Sequence, residues 1–211
     1  MKVKVFILGI IIFIFGMVFY TYWYFEYKYI LPTPIPKDYV AIPVHAKIEV
    51  EAFLKRNSQK PTFFHFFNPY CPCSRFNLDH FRGLVQNYSN QVEFYAVIGS
   101  DELFNKTKKL LDKYKIFIPI IVDNQEKLAQ KCGVYSTPQA VLLDAENKLY
   151  YRGNYNSARF CTNPATDFAR LSLEAIINRV PPPRFGELST RSYGCKYDSS
   201  AFSPGFLLKI P

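Results

Sequence analysis

Val5 to Phe25 is a stretch of 21 residues without a single charge. At 1.5 Å per residue a helix of that length spans about 30 Å, the thickness of a bilayer's hydrocarbon core. Tyr20, Tyr22, Trp23, Tyr24, Tyr27 and Tyr29 crowd its far end, as an interfacial aromatic belt does. A cleaved signal peptide is the competing reading, but the apolar run is too long for one and no small-residue cleavage site follows it. Lys2 and Lys4 precede the run, and Lys28 and Lys37 follow it. Charges so close to the start favour a cytoplasmic N-terminus. The sequence therefore predicts an uncleaved, single-pass anchor, with the membrane engaged through residues 5–25 and the remaining chain on the far side. Leu31-Pro-Thr-Pro-Ile-Pro36 then alternates three prolines, which stiffen a chain into an extended spacer.

The chain beyond these prolines is long enough for one well-buried core. Hydrophobic residues are 49% of the chain and aromatic residues 18%, which excludes disordered and fibrous classes. The net charge is +9, from 26 Lys+Arg against 17 Asp+Glu, but the basic residues are scattered, so no nucleic-acid partner is expected.

Apolar patterning alternates between strand and helix. Pro61–Phe67 is a nearly continuous apolar run, the mark of a strand buried on both faces. Val92–Ile98 and Phe117–Val122 read as further strands, the last starting late because of Pro119. Gln139–Asp144 and Lys148–Arg152 flank the turn Ala145-Glu-Asn147 and read as a hairpin. Helices are expected over Lys47–Asn57, Ser74–Tyr88, after a Ser100 cap, over Glu126–Cys132 before Gly133, and after a Thr166 cap. The expected organisation is an anchor (1–30), a Pro-rich linker (31–44), an α/β domain with a mixed sheet flanked by helices (45–180), and a tail (181–211). That tail shows no apolar periodicity until Phe206–Ile210.

The chemistry converges on Cys71-Pro72-Cys73-Ser74, placed where a strand and short loop deliver the chain into a helix. A cysteine at a helix start faces unpaired N–H groups and the positive end of the dipole, which favour thiolate. Arg75 adds positive charge, and Pro72 fits the first turn, where its missing N–H costs nothing. Zinc or copper binding is the rival chemistry. A structural zinc site needs four ligands, and no second close pair of cysteines completes one, so no metal or other cofactor is expected.

Over residues 45–180 the chain resembles the thioredoxin-like superfamily. Phe63-Phe-His-Phe-Phe-Asn-Pro-Tyr70 before Cys71 resembles the strand and aromatic residue ahead of that family's redox cysteines. Val134-Tyr-Ser-Thr-Pro138 resembles its second hallmark, a threonine and cis-proline facing the active cysteine. The loop 153–165 and Tyr193-Gly-Cys195 further resemble bacterial membrane-anchored redoxin-like proteins. The resemblance implies a membrane-anchored thiol–disulfide oxidoreductase acting on protein thiols and disulfides, served by a redox partner protein. The anchor then lies in the inner membrane and the domain on its periplasmic side. Cys71, Cys73 and Pro138 would be catalytic, with Thr137, His65, Pro72, Ser74 and Arg75 in support. A cis Thr137–Pro138 bond would leave the Thr137 backbone open to pair with an incoming peptide; otherwise Pro138 only starts a strand.

The chain departs from the family's Cys-x-x-Cys, because Ser74 holds the second position and Cys73 falls one residue early. A Cys71–Cys73 disulfide would close a small, oxidising ring; alternatively Cys71 works as a monothiol. Asn68 stands where peroxiredoxins carry threonine, which disfavours peroxidase chemistry. His65 lies where thioredoxins bury an acid, and could move protons near neutral pH or be a bonded core histidine. His45 and His80 read as surface or linker residues. Of the other cysteines, Cys132 reads as buried. Cys161 and Cys195 are candidates for a structural disulfide pinning the tail, a contribution of about 3–4 kcal/mol; alternatively one of them resolves the Cys71 intermediate. A binding or copper-handling protein on the same fold is the alternative function.

Overall fold

The computed structural model describes residues 2–27, 31–54, 59–158 and 160–197. In chain order its elements begin α1 Lys2–Phe25, β1 Thr62–Phe66, α2 Pro72–Phe76, α3 Leu78–Tyr88, β2 Glu93–Ile98, α4 Phe104–Lys113 and β3 Ile120–Val122. They continue α5 Lys127–Cys132, β4 Ser136–Thr137, β5 Gln139–Leu143, β6 Leu149–Gly153, α6 Phe168–Ile177, α7 Glu187–Thr190 and β7 Cys195–Lys196.

All five side chains of β1 are buried, so its sequence has no solvent face to keep polar. It is the middle strand of a sheet ordered β3-β2-β1-β5-β6. β1 pairs parallel with β2, and β2 with β3; β5 runs antiparallel to both β1 and β6. The two parallel steps move in the same direction across the sheet, so right-handed crossovers put α3 and α4 on the same face. There Leu78, Phe81, Leu84 and Leu111, joined by Phe168, Ala169 and Leu173 of α6, cover Phe63, Phe94, Ala96, Ile98 and Leu142. On the other face Leu128, Ala129 and Cys132 of α5, with Ile48, Val50 and Tyr197, cover Phe64, Phe66, Val97, Val141 and Leu143. This is the thioredoxin-like mixed sheet the sequence resembles.

α1 is long and apolar enough to cross a membrane, and its apolar window is not buried by the rest of the chain. Asp123 fixes α5: its carboxylate accepts from the N–H groups of Leu128 and Ala129, each at 2.8 Å. Asp123→Ala is expected to lower stability by about 1–2 kcal/mol through loss of these bonds, read as a lower urea midpoint at unchanged slope.

Several local readings are corrected. Residues 47–54 are not helical. Lys47 bridges Lys148 and the Ile48 N–H donates to Asn147, so the segment lies along the edge of β6. Ile48 and Val50 point inward while Glu49 and Glu51 are exposed, a two-residue period that belongs to extended chain. Residues 55–57 lie outside the described residues. The helix expected over Ser74–Tyr88 divides at Asn77, a poor interior helix former. Ser100 makes no side-chain cap, and α6 is capped by Asp167 rather than Thr166. The proline linker is no free spacer: Pro32 bridges Tyr193, and the Thr33 N–H donates to the Ser192 carbonyl at 2.8 Å. The tail is packed through Tyr197, which is buried; Phe206–Ile210 lies outside the described residues.

Candidate redox site

Beyond β1 the Asn68 side chain accepts from the Tyr70 N–H at 2.9 Å, and the Cys71 N–H donates to the Asn68 carbonyl at 3.0 Å. These two bonds form a tight turn that delivers Cys71 as the extended residue capping α2, with Pro72 at its first position. Across from it the Thr137–Pro138 peptide is cis, and the Thr137 carbonyl oxygen lies 3.5 Å from Cys71 Sγ.

Cys71 is disulfide-bonded to Cys195, 124 residues away, with the two Cα atoms 5.9 Å apart. In this state the sulfur has no hydrogen to give Thr137, so the 3.5 Å approach is a contact; a reduced Cys71 thiol there would have an acceptor. The pairing of β4 with β7 brings Cys195 into place, setting Thr137 opposite Cys195 and Ser136 opposite Lys196. Buried amides hold the tail there. Asn154 Nδ2 donates to the carbonyls of Leu188 and Arg191 at 2.8 and 2.9 Å, and Gln139 Nε2 donates to Ser192 Oγ at 2.8 Å.

The disulfide framework expected from sequence is thus redrawn. Cys195 is joined to Cys71 and not to Cys161, and Cys71 is not joined to Cys73. Cys71 caps the helix on which Cys73 lies, and side chains two apart on a helix do not face one another. Cys73 is fully buried. Cys161 is half-buried; burial, with the negative charge of Asp167 and then Cys73, pushes its thiol up to about 12. Cys132 is buried on the opposite face of the sheet, and burial pushes its thiol up as well. Both shifts favour the protonated, less nucleophilic thiol near pH 7.

His65 lies on β1 beneath the site. Its Nδ1 is 2.6 Å from the Tyr155 hydroxyl, and its ring stacks on Phe81 at 4.0 Å between centroids. Burial first, then the His80 charge, push it down to about 3. It is neutral at physiological pH, which favours the bonded core histidine of the two readings over the proton carrier. Ser74 is buried, with its hydroxyl 3.5 Å from the Asn68 N–H, whereas Arg75 is exposed. His80 is not a plain surface residue: its Nε2 sits 2.9 Å from Asp167 Oδ1. Asn154, Gln139, Thr33 and Gly194 carry the tail's placement, and none of them stands out in the sequence apart from the Tyr193-Gly-Cys195 triplet itself. Among the described residues no cluster of three or more His, Cys, Asp or Glu side chains is placed to hold a metal ion.

Comparison with known proteins adds to this geometry. Thiol-disulfide oxidoreductase ResA of Halalkalibacterium halodurans is 21% identical over 96 residues, covering 46% of this chain and 54% of that protein. The chain thus spans about half the length of the curated relative it matches. A hypothetical protein from Sinorhizobium meliloti 1021 superposes with a TM-score of 0.61 at 16% identity, over 75% of this chain and 96% of that one. An uncharacterized conserved protein from Geobacillus kaustophilus does so at 0.58 and 23%, over 67% and 78%. These two share the fold. The strand order, the cysteine capping the helix after the central strand, the cis-proline opposite it and the ResA match make the chain thioredoxin-like. The model of the family described as Domain of unknown function (DUF6436) matches residues 43–196, and the chain belongs to that family.

Proposed function

We propose that this chain is a membrane-tethered thiol–disulfide oxidoreductase acting on protein thiols and disulfides. The observation that carries the reading is the Cys71–Cys195 disulfide beside the cis Thr137–Pro138 bond. In the reducing direction the Cys71 thiolate attacks a substrate disulfide. That S–S bond breaks, one substrate sulfur leaves and takes a proton from solvent, and a mixed disulfide forms. The Cys195 thiolate then attacks Cys71 Sγ. The second substrate sulfur leaves, the protein ends as the Cys71–Cys195 disulfide, and two electrons have passed to the substrate. A dithiol on a partner protein returns them. The oxidising direction is the reverse, and the potentials of the partners choose between the two.

Helix-start placement of Cys71 supports its role as attacking thiolate. The protonated state of Cys161 and Cys132 supports their exclusion from exchange. Cys73, beside Cys71 in sequence, is assigned to the packing of the site. α1 serves as a single-pass inner-membrane anchor with a cytoplasmic N-terminus, and the domain lies on the periplasmic side. Lys2 and Lys4 ahead of the apolar span support this orientation.

The test is graded reduction of the full chain in detergent, with alkylation and peptide mapping at each step. The Cys71–Cys195 linkage should open under mild dithiol and close again on adding glutathione disulfide. A linkage that neither opens nor re-forms under those conditions overturns the reading.

A further inference from the structure

β4 lies outside the five-stranded sheet, and its ladder partner is β7. Backbone pairing of this kind does not read side chains, so any extended segment in the same register can make it. That register sets a cysteine opposite Thr137 and within bonding reach of Cys71. The residue before the cysteine is under two restrictions. Gly194 has φ +104°, a backbone region that L side chains rarely enter. A Cβ at this position would also collide with the Thr137 carbonyl oxygen and sit 3.5 Å from Cys73 Cβ. The outer side of the segment is closed by the linker, where Thr33 Oγ1 donates to the Gly194 carbonyl at 3.4 Å.

We propose that β7 is a tethered copy of the substrate strand. The site along β4 therefore takes an extended polypeptide in which glycine directly precedes the reactive cysteine. This deepens the oxidoreductase reading and rests on it. A substrate strand and β7 cannot both hold β4, so the two compete for one edge. While substrate is linked to Cys71, β7 is displaced. When Cys195 attacks Cys71 Sγ, the substrate thiolate leaves, and re-pairing of β7 with β4 clears the reduced product from the site.

The experiment uses the full chain in detergent carrying Cys195→Ser, so that Cys71 is not consumed internally. Tetrapeptides Tyr-Gly-Cys-Lys, Tyr-Ala-Cys-Lys and Tyr-Val-Cys-Lys are presented as mixed disulfides with 2-thiopyridine. Attack by Cys71 on the peptide sulfur releases thiopyridone, whose absorbance gives the rate. The 2-thiopyridine mixed disulfide of 2-mercaptoethanol, which releases the same thiopyridone but has no backbone to pair, is the reference. The glycine peptide should react at least tenfold faster than the alanine peptide, with the valine peptide slower again. Equal rates for the three peptides, with the reference reacting, overturn the glycine selection and leave the oxidoreductase reading standing. No reaction with any of the four overturns both. In the otherwise native chain, Gly194→Ala should shift the glutathione equilibrium of Cys71–Cys195 at least tenfold toward the dithiol; an unshifted equilibrium overturns the proposal.

Discussion

Cys71→Ser is expected to reduce thiol–disulfide exchange by at least about a thousandfold, because a serine hydroxyl is no nucleophile toward disulfide sulfur near pH 7. The informative comparison is with its two candidate partners. Cys195→Ser should keep the first attack and lose the second, so the full chain should accumulate a mixed disulfide with a protein substrate or with glutathione. Cys73→Ser should still form the Cys71–Cys195 linkage. Mass analysis of alkylated protein after a single oxidation cycle reads all three. If the trapped species accumulates in Cys73→Ser and not in Cys195→Ser, resolution belongs to the Cys-Pro-Cys pair and the tail has another task.

The second large effect concerns His65 and acid. Its ring is fully buried and its protonation is pushed from the ordinary 6.5 down to about 3. Between those values the unfolded chain holds a proton on this histidine that the folded chain does not. The histidine's contribution is therefore complete above pH 6.5 and is lost as pH falls toward 3. The slope is about 1.4 kcal/mol per pH unit, or about 2 kcal/mol between pH 6.5 and 5. His65→Phe should remove that slope while lowering stability at pH 7 by about 1–3 kcal/mol, since the Tyr155 hydroxyl loses its partner. Urea unfolding of both proteins at pH 7 and pH 5 measures the difference. Parallel losses of stability in the two proteins would show that the histidine is not the group responsible.

Much of the fold is legible in the sequence because its strongest signals are local. The continuous apolar run at Thr62–Phe66 follows from a strand covered on both faces, and Gly133 closes α5 with φ +68°. The segment 47–54 misleads because Ile48, Phe53 and Leu54 among charges also suit a helical spacing, while the Ile48/Val50 alternation set by the edge of β6 covers only a few residues. The Cys71–Cys195 linkage is legible only as the alternative to a Cys161–Cys195 bridge. It depends on a two-residue pairing between β4 and β7, and on Asn154 and Gln139 seating the tail. No periodicity encodes contacts between positions so far apart. Sequence proximity points to Cys73, and geometry chooses the cysteine that the tertiary fold carries in. The burial that neutralises His65 is likewise set by Phe81 and Tyr155, residues remote from it in the chain.

The bonds between the linker and the tail also fix a mechanical property of the domain. Pro32 and Thr33 join the folded body at Ser192 and Tyr193, just short of Cys195. Tension transmitted along the chain from α1 is therefore loaded onto the strand that closes the disulfide before it is felt by the sheet. The Cys71–Cys195 bond carries that load from the tail into α2 and β1, whereas after reduction the β4–β7 ladder, the buried amides and the packed Tyr193 and Tyr197 bear it. The oxidised domain thus holds the tail that its linker grips through a covalent bond, and the reduced domain holds it through hydrogen bonds and the packing of Tyr193 and Tyr197.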